Sequence, residues 1–72
     1  MNIYQRLKDL REDADKSQKE IATVIGTSQS YYAQYENGKR TLPFDRAVTL
    51  ARYYNVSLDY LAGLIDTPRK LY

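Results

Sequence analysis

The strongest constraint on this chain is its punctuation. Ser17 and Glu20 stand three apart in "SQKEIATVIG", the S-x-x-E spacing in which a serine caps a helix and a glutamate returns the bond. Gly26 follows the apolar run Ile21, Ala22, Val24, Ile25 and supplies the left-handed residue that stops a helix, and Ser28 can cap another two positions later. Residues 17 to 37 are therefore two short helices joined by a turn too tight for anything else. The same signals run on in both directions. Ile3, Leu7, Leu10 and Ala14, at steps of four, three and four, predict a helix over 3–14. Asn37-Gly38 ends the third helix, and Pro43 suits the first turn of a fourth reaching to about Tyr54. Asn55 closes that helix, Ser57 caps a short fifth through about Leu64, and Thr67-Pro68 ends the order. The expectation is an all-α chain of five short helices, one domain over 1–66 with a short tail at 67–72.

Composition removes several functions. The 72 residues contain no cysteine and no histidine, and the acids lie among bases on helix surfaces with no pair set apart in apolar surroundings. An enzyme is not expected, nor a metal site, and no cofactor or small-molecule ligand is evident. "MNIYQRLKDL" breaks its apolar residues with charges, and nothing later is long and apolar enough to span a membrane, so a cytoplasmic protein is expected. The net charge is only +2, and its distribution says more. Residues 16–40 carry four bases against two acids, the most basic third by a small margin.

Within that third, "GTSQSYYAQYENGKR" sets three tyrosines beside two glutamines. At about 100° per residue from Gln29, Ala33, Ser30 and Gln34 fall near 40°, 100° and 140°, while Tyr31, Tyr35 and Tyr32 fall near 200°, 240° and 300°. One face is aromatic and the other small and polar. Tyr32 and Tyr35 are expected in the core and Tyr31 at its edge, which argues against a platform for stacking single-stranded bases. A glutamine amide sets a donor beside an acceptor, the pattern that matches the N6 and N7 edge of adenine in the major groove, and Ala33 suits a thymine methyl. Taken alone, such a face fits a solvated helix equally well. A tight turn between two capped helices adds weight, because in a helix-turn-helix the second helix enters the groove while the first crosses the backbone.

The run "SQKEIATVIGTSQSYYAQYENGKRTLP" resembles the helix-turn-helix of the phage repressor/Cro family, also called the xenobiotic-response-element family, and "ARYYNVSLDYLAGL" resembles that family's last two helices. The resemblance covers nearly the whole chain. It implies a five-helix bundle of the lambda-repressor-like DNA-binding type, docking as a homodimer on a two-fold double-stranded DNA operator and acting as a transcriptional repressor. Carried over by position, Gln29, Ser30, Ala33 and Gln34 are the base readers. Gln18, Tyr31, Asn37, Lys39 and Arg40 contact phosphates, and Arg11 pairs with Glu36 as a structural bridge. Gln18 also stands where the free N–H groups and dipole of a helix start attract an anion. Two positions depart from the pattern: Thr27 replaces a small aliphatic residue, and Ser30 is short for a reader.

The expected core comprises Leu7, Leu10, Ile21, Ile25, Leu42, Val48, Leu50 and Ala51, with Leu58, Leu61, Ala62 and Ile65 as a covering stripe. Leu64, Ile65, Leu71 and Tyr72 are left over, either as a dimer surface or as a tail packed on its own core. The competing function is a protein-interaction module on the same fold, such as an antitoxin or antirepressor-like regulator. It tolerates loss of Gln29 and Gln34 but not of an apolar patch.

Overall fold

A computed structural model describes residues 2–67. Five helices follow in order: α1 (Ile3–Asp13), α2 (Gln18–Val24), α3 (Gln29–Glu36), α4 (Phe44–Tyr54) and α5 (Leu58–Leu61), with no strand among the described residues. Each start has a local cause. Asn2, Ser28 and Ser57 accept a hydrogen bond from the backbone N–H three residues on, at 2.9, 3.2 and 3.1 Å. Ser17 does the same for Glu20 at 3.1 Å, and the Glu20 carboxylate accepts the Ser17 N–H at 3.1 Å, completing the box. That returned bond, more than any neighbouring charge, holds the Glu20 carboxyl below its usual range.

The helix ends repeat one device. After α2, the N–H groups of Gly26 and Thr27 bond the carbonyls of Thr23 and Ala22, and after α3 those of Gly38 and Lys39 bond Tyr35 and Gln34. These are Schellman closures, which need a residue at positive φ. Gly26 and Gly38 supply it at +74° and +76°. After α1 the same role falls to Asp15 at φ 60°, where a Cβ sits against the backbone at a cost. Asp15→Gly is therefore expected to raise stability by roughly 0.5–1 kcal/mol in urea unfolding, the relief of that strain less the extra entropy of glycine.

Three expectations need correction. Pro43 is the N-cap of α4, at φ −62° and ψ 151°, rather than a residue of its first turn. The fifth helix stops at Leu61 instead of about Leu64, because Gly63 turns to φ 82° and the Leu64 N–H closes back on Asp59 at 2.9 Å. Ala62 is consequently exposed and Leu64 is 75 % exposed, so the covering stripe reduces to Leu61 and the half-buried Leu58 and Ile65. Leu71 and Tyr72 lie outside the described residues, as does most of the 67–72 tail.

The core joins Leu7 of α1, Ile21 and Ala22 of α2, Tyr32 and Tyr35 of α3, Leu42, Leu50 and Ala51, and Leu61. Leu10 and Ile25 pack against its rim, Val56 is buried as well, and Val48 is only half-buried. One charge is buried with them. Arg6 is 3 % exposed, with its guanidinium carbon 3.7 Å from the Tyr60 ring centroid and a terminal nitrogen 3.6 Å from Asp66. A planar, weakly hydrated cation over an aromatic face tolerates such a place better than lysine could. It ties α1 to α5 and the segment beyond.

Candidate nucleic-acid interface

The α2 and α3 helices meet across Gly26, Thr27 and Ser28, and the chain's two kinds of α3 residue separate as the wheel requires. Tyr32 and Tyr35 are 0 % and 1 % exposed. Gln29 and Ser30 are exposed, Ala33 and Gln34 half-buried, and Tyr31 lies at the boundary. Three tyrosines therefore do not form one open platform, and only Tyr31 is accessible for stacking. Its ring meets Tyr35 edge-on at 5.7 Å.

A buried ion pair sets the orientation of α3. Arg11 of α1 donates through Nε to Glu36 Oε2 at 2.8 Å and through Nη2 to Oε1 at 3.2 Å. Its Nη1 donates to the Lys16 carbonyl at 2.9 Å, so one guanidinium ties α1, the loop after it and the end of α3. The side chains are 13 % and 3 % exposed. Burial pushes the Glu36 carboxyl up, yet the interactions with Arg11, the Tyr32 hydroxyl and Gln18 together outweigh it and the net displacement is downward. The hydrogen bond to Glu36 raises Arg11 in turn. Burial also drives the Tyr32 and Tyr54 hydroxyls far above their ordinary value, so both stay neutral.

Gln18 is drawn into this pair. Its Nε2 donates to Glu36 Oε1 at 3.2 Å, so the amide is fixed at the start of α2 with its other N–H and its oxygen outside that bond. Asn37 caps α3 and is exposed, as are Lys39 and Arg40. Gly38 has a second reason to be glycine, since a Cβ there meets the Tyr4 ring of α1 at 3.3 Å.

The residues assigned to base reading are not equivalent. Gln29 is exposed, whereas the Gln34 amide oxygen accepts from Arg40 Nε at 2.7 Å, which turns the acceptor end of its pattern toward that arginine. Ser30 Oγ lies 3.4 Å from Ser28 Oγ. Two arginines flank Tyr31, with Arg40 at 4.4 Å and Arg46 at 5.6 Å from the ring centroid. Arg46 Nη1 also donates to the Tyr35 hydroxyl at 2.7 Å. Neither arginine contact is local along the chain, and only the basic run at Lys39-Arg40 hinted at one of them. No cluster of three or more potential metal ligands occurs among the described residues, and no helix there is long and apolar enough to cross a membrane.

Two short helices across a glycine turn, the second with aromatics inward and a polar face outward, define a helix-turn-helix domain. The chain belongs to the helix-turn-helix family, of the Cro/C1 type, whose sequence model matches residues 7–61. It is similar to YobD of Bacillus subtilis, an uncharacterized HTH-type transcriptional regulator, with 42 % identity over 64 residues, covering 89 % of this chain and 57 % of that protein. It is similar to the HTH-type transcriptional regulator ImmR of the same organism at 34 % identity, covering 97 % and 55 %. The Vibrio cholerae cryptic phage CTXphi transcriptional repressor RstR shares 31 % identity, covering 86 % and 56 %. The chain thus spans a little over half the length of these relatives. A crystal structure of a transcriptional regulator from Listeria innocua superposes with a TM-score of 0.84 at 20 % identity over 99 % of this chain and 64 % of that one, a likeness of fold.

Proposed function

We propose that this domain is a sequence-specific double-stranded DNA-binding regulator, acting as a repressor, that places α3 in the major groove and binds a palindromic operator as a homodimer. The observation that carries the reading is the polar outer face of α3, set against buried tyrosines and held by the Arg11–Glu36 pair. Gln29, Ser30, Ala33 and Gln34 face the base edges in this reading. Gln18, Tyr31, Asn37, Lys39 and Arg40 reach phosphates, fixing register without reading sequence. Relatives named as transcriptional regulators, one of them a phage repressor, support it.

Selection of bound duplexes from a random pool at near-physiological salt tests this reading. The expected result is an inverted repeat with half-sites about one helical turn apart. Retention without any enriched sequence overturns it in favour of a protein partner on the same fold. Counting Gln18, Asn37, Lys39 and Arg40, with Tyr31 at the edge of the set, about four phosphate contacts per monomer at ~0.9 each put the dimer's log–log salt slope near −6 to −8. Two variants separate reading from positioning. Gln34→Ala is expected to relax one base pair per half-site at ~1–3 kcal/mol, whereas Lys39→Ala weakens all sequences alike and lowers the slope by about one per monomer. A uniform loss from Gln34→Ala removes it from the readers.

A further inference from the structure

Arg40 is held at three points, two through its side chain and one through its backbone. Its Nε donates to Gln34 Oε1 at 2.7 Å, its guanidinium lies 4.4 Å from the Tyr31 ring centroid, and its backbone N–H bonds the Gln34 carbonyl at 3.2 Å. An arginine can only donate, so the bond fixes which end of the Gln34 amide is oxygen. The oxygen faces Arg40, and the NH2 is the end of the amide turned away from it.

That orientation changes what Gln34 can read. A free glutamine matches adenine because it accepts from N6 and donates to N7. With the oxygen turned toward Arg40 and one of its lone pairs engaged, the amide presents its two N–H donors on the other side, and the terminal nitrogens of Arg40 offer only donors as well. Guanine presents two acceptors, O6 and N7, on its major-groove edge; adenine and cytosine each present an amino group that would face another donor. Resting on the DNA-reading function above, we propose that Arg40 is a positioning residue that locks the Gln34 amide donor-outward and so makes guanine, not adenine, the base preferred at that position. Tyr31 contributes by holding the guanidinium plane through a cation–π contact, which preorganises the pair before DNA arrives.

The test is the random-pool selection run with the wild type, Gln34→Ala and Arg40→Ala. Gln34→Ala locates the base pair, as the one whose preference collapses. At that pair the wild type is expected to favour guanine over adenine by on the order of tenfold. Arg40→Ala frees the amide to turn, and the preference is expected to move toward adenine. Arg40 is exposed, so the variant keeps its fold, which circular dichroism checks directly. The readout is base identity rather than affinity, because loss of a cation near phosphate weakens every sequence alike. Adenine preferred by the wild type, or a guanine preference intact in Arg40→Ala, overturns the positioning role while leaving DNA reading in place. No enriched sequence with the wild type overturns the DNA reading itself, and this inference with it.

Discussion

Arg11→Ala is expected to lower the unfolding free energy by about 3–5 kcal/mol, measured by urea denaturation followed by circular dichroism. The magnitude comes from what is left behind. Glu36, 3 % exposed, loses two guanidinium bonds at 2.8 and 3.2 Å and keeps the Gln18 amide at 3.2 Å and the neighbouring Tyr32 hydroxyl, both neutral. The Lys16 carbonyl loses its donor in the same step. A domain of this length has roughly 4–11 kcal/mol in all, at ~0.05–0.15 per residue, so the variant stands at the edge of unfolding. Replacing both partners, as Arg11→Met with Glu36→Leu, removes the stranded charge and is expected to recover most of the loss.

The pH dependence of the same pair has a definite sign. In the wild type the folded Glu36 carboxyl lies below its ordinary value of 4.5. Its stabilisation is therefore complete above that value and is lost as pH falls through the lower folded one. In Arg11→Ala the largest opposing hydrogen bond and the only opposing charge are gone, and burial, the largest single influence on this carboxyl, is expected to raise the folded value instead. Protonation then favours the folded state, so stability contributed by this group increases as pH falls toward 4.5. Opposite slopes in the acid limb are expected for the two proteins. Equal slopes sink the assignment of Glu36 as the group whose charge Arg11 holds.

What was legible in the sequence was mostly local. Ser17, Glu20 and Ser28 cap through bonds to backbone three residues away, and those bonds form whatever the rest of the chain does. The inward set of Tyr32 and Tyr35 followed from helical period alone. The end of α5 was misjudged because the apolar run to Leu64 outweighed Gly63, although a glycine after a capped turn is itself a stop signal. Val48, expected in the core, is only half-buried, because neighbouring Leu50 and Ala51 face inward and leave it half out. The contacts of Arg6, Arg40 and Arg46 were not readable in periodicity. A long basic side chain buries its stem and aims its head according to whichever ring or amide tertiary packing brings near, and sequence spacing does not encode that.

The largest loss from a single truncation in the core is expected at Tyr32, and its neighbour Tyr31 is the control. Tyr32 is 0 % exposed and meets the Tyr35 ring edge-on at 6.4 Å, with the chain's buried leucines around it. Tyr32→Ala removes the ring and leaves a cavity that the short helices on either side can close only in part, at a cost of about 3–5 kcal/mol. The hydroxyl lies beside the Glu36 carboxylate without closing a hydrogen bond of good geometry, so Tyr32→Phe keeps most of the stability, within about 1 kcal/mol. Tyr31→Ala loses one edge-on ring contact and the two arginine contacts at the surface, about 1 kcal/mol together. Thermal unfolding ranks the three variants, and a loss from Tyr31→Ala as large as from Tyr32→Ala contradicts the division of the helix into an inner and an outer face. On DNA the ranking changes. At a temperature where each variant is folded, Tyr32→Phe is expected to bind as the wild type does, while Tyr31→Ala weakens binding, since it removes a boundary contact and releases the guanidinium that orients Gln34. Of the two residues, the one that matters less to folding then matters more to recognition, which is what a helix with one face in the core and the other turned outward requires.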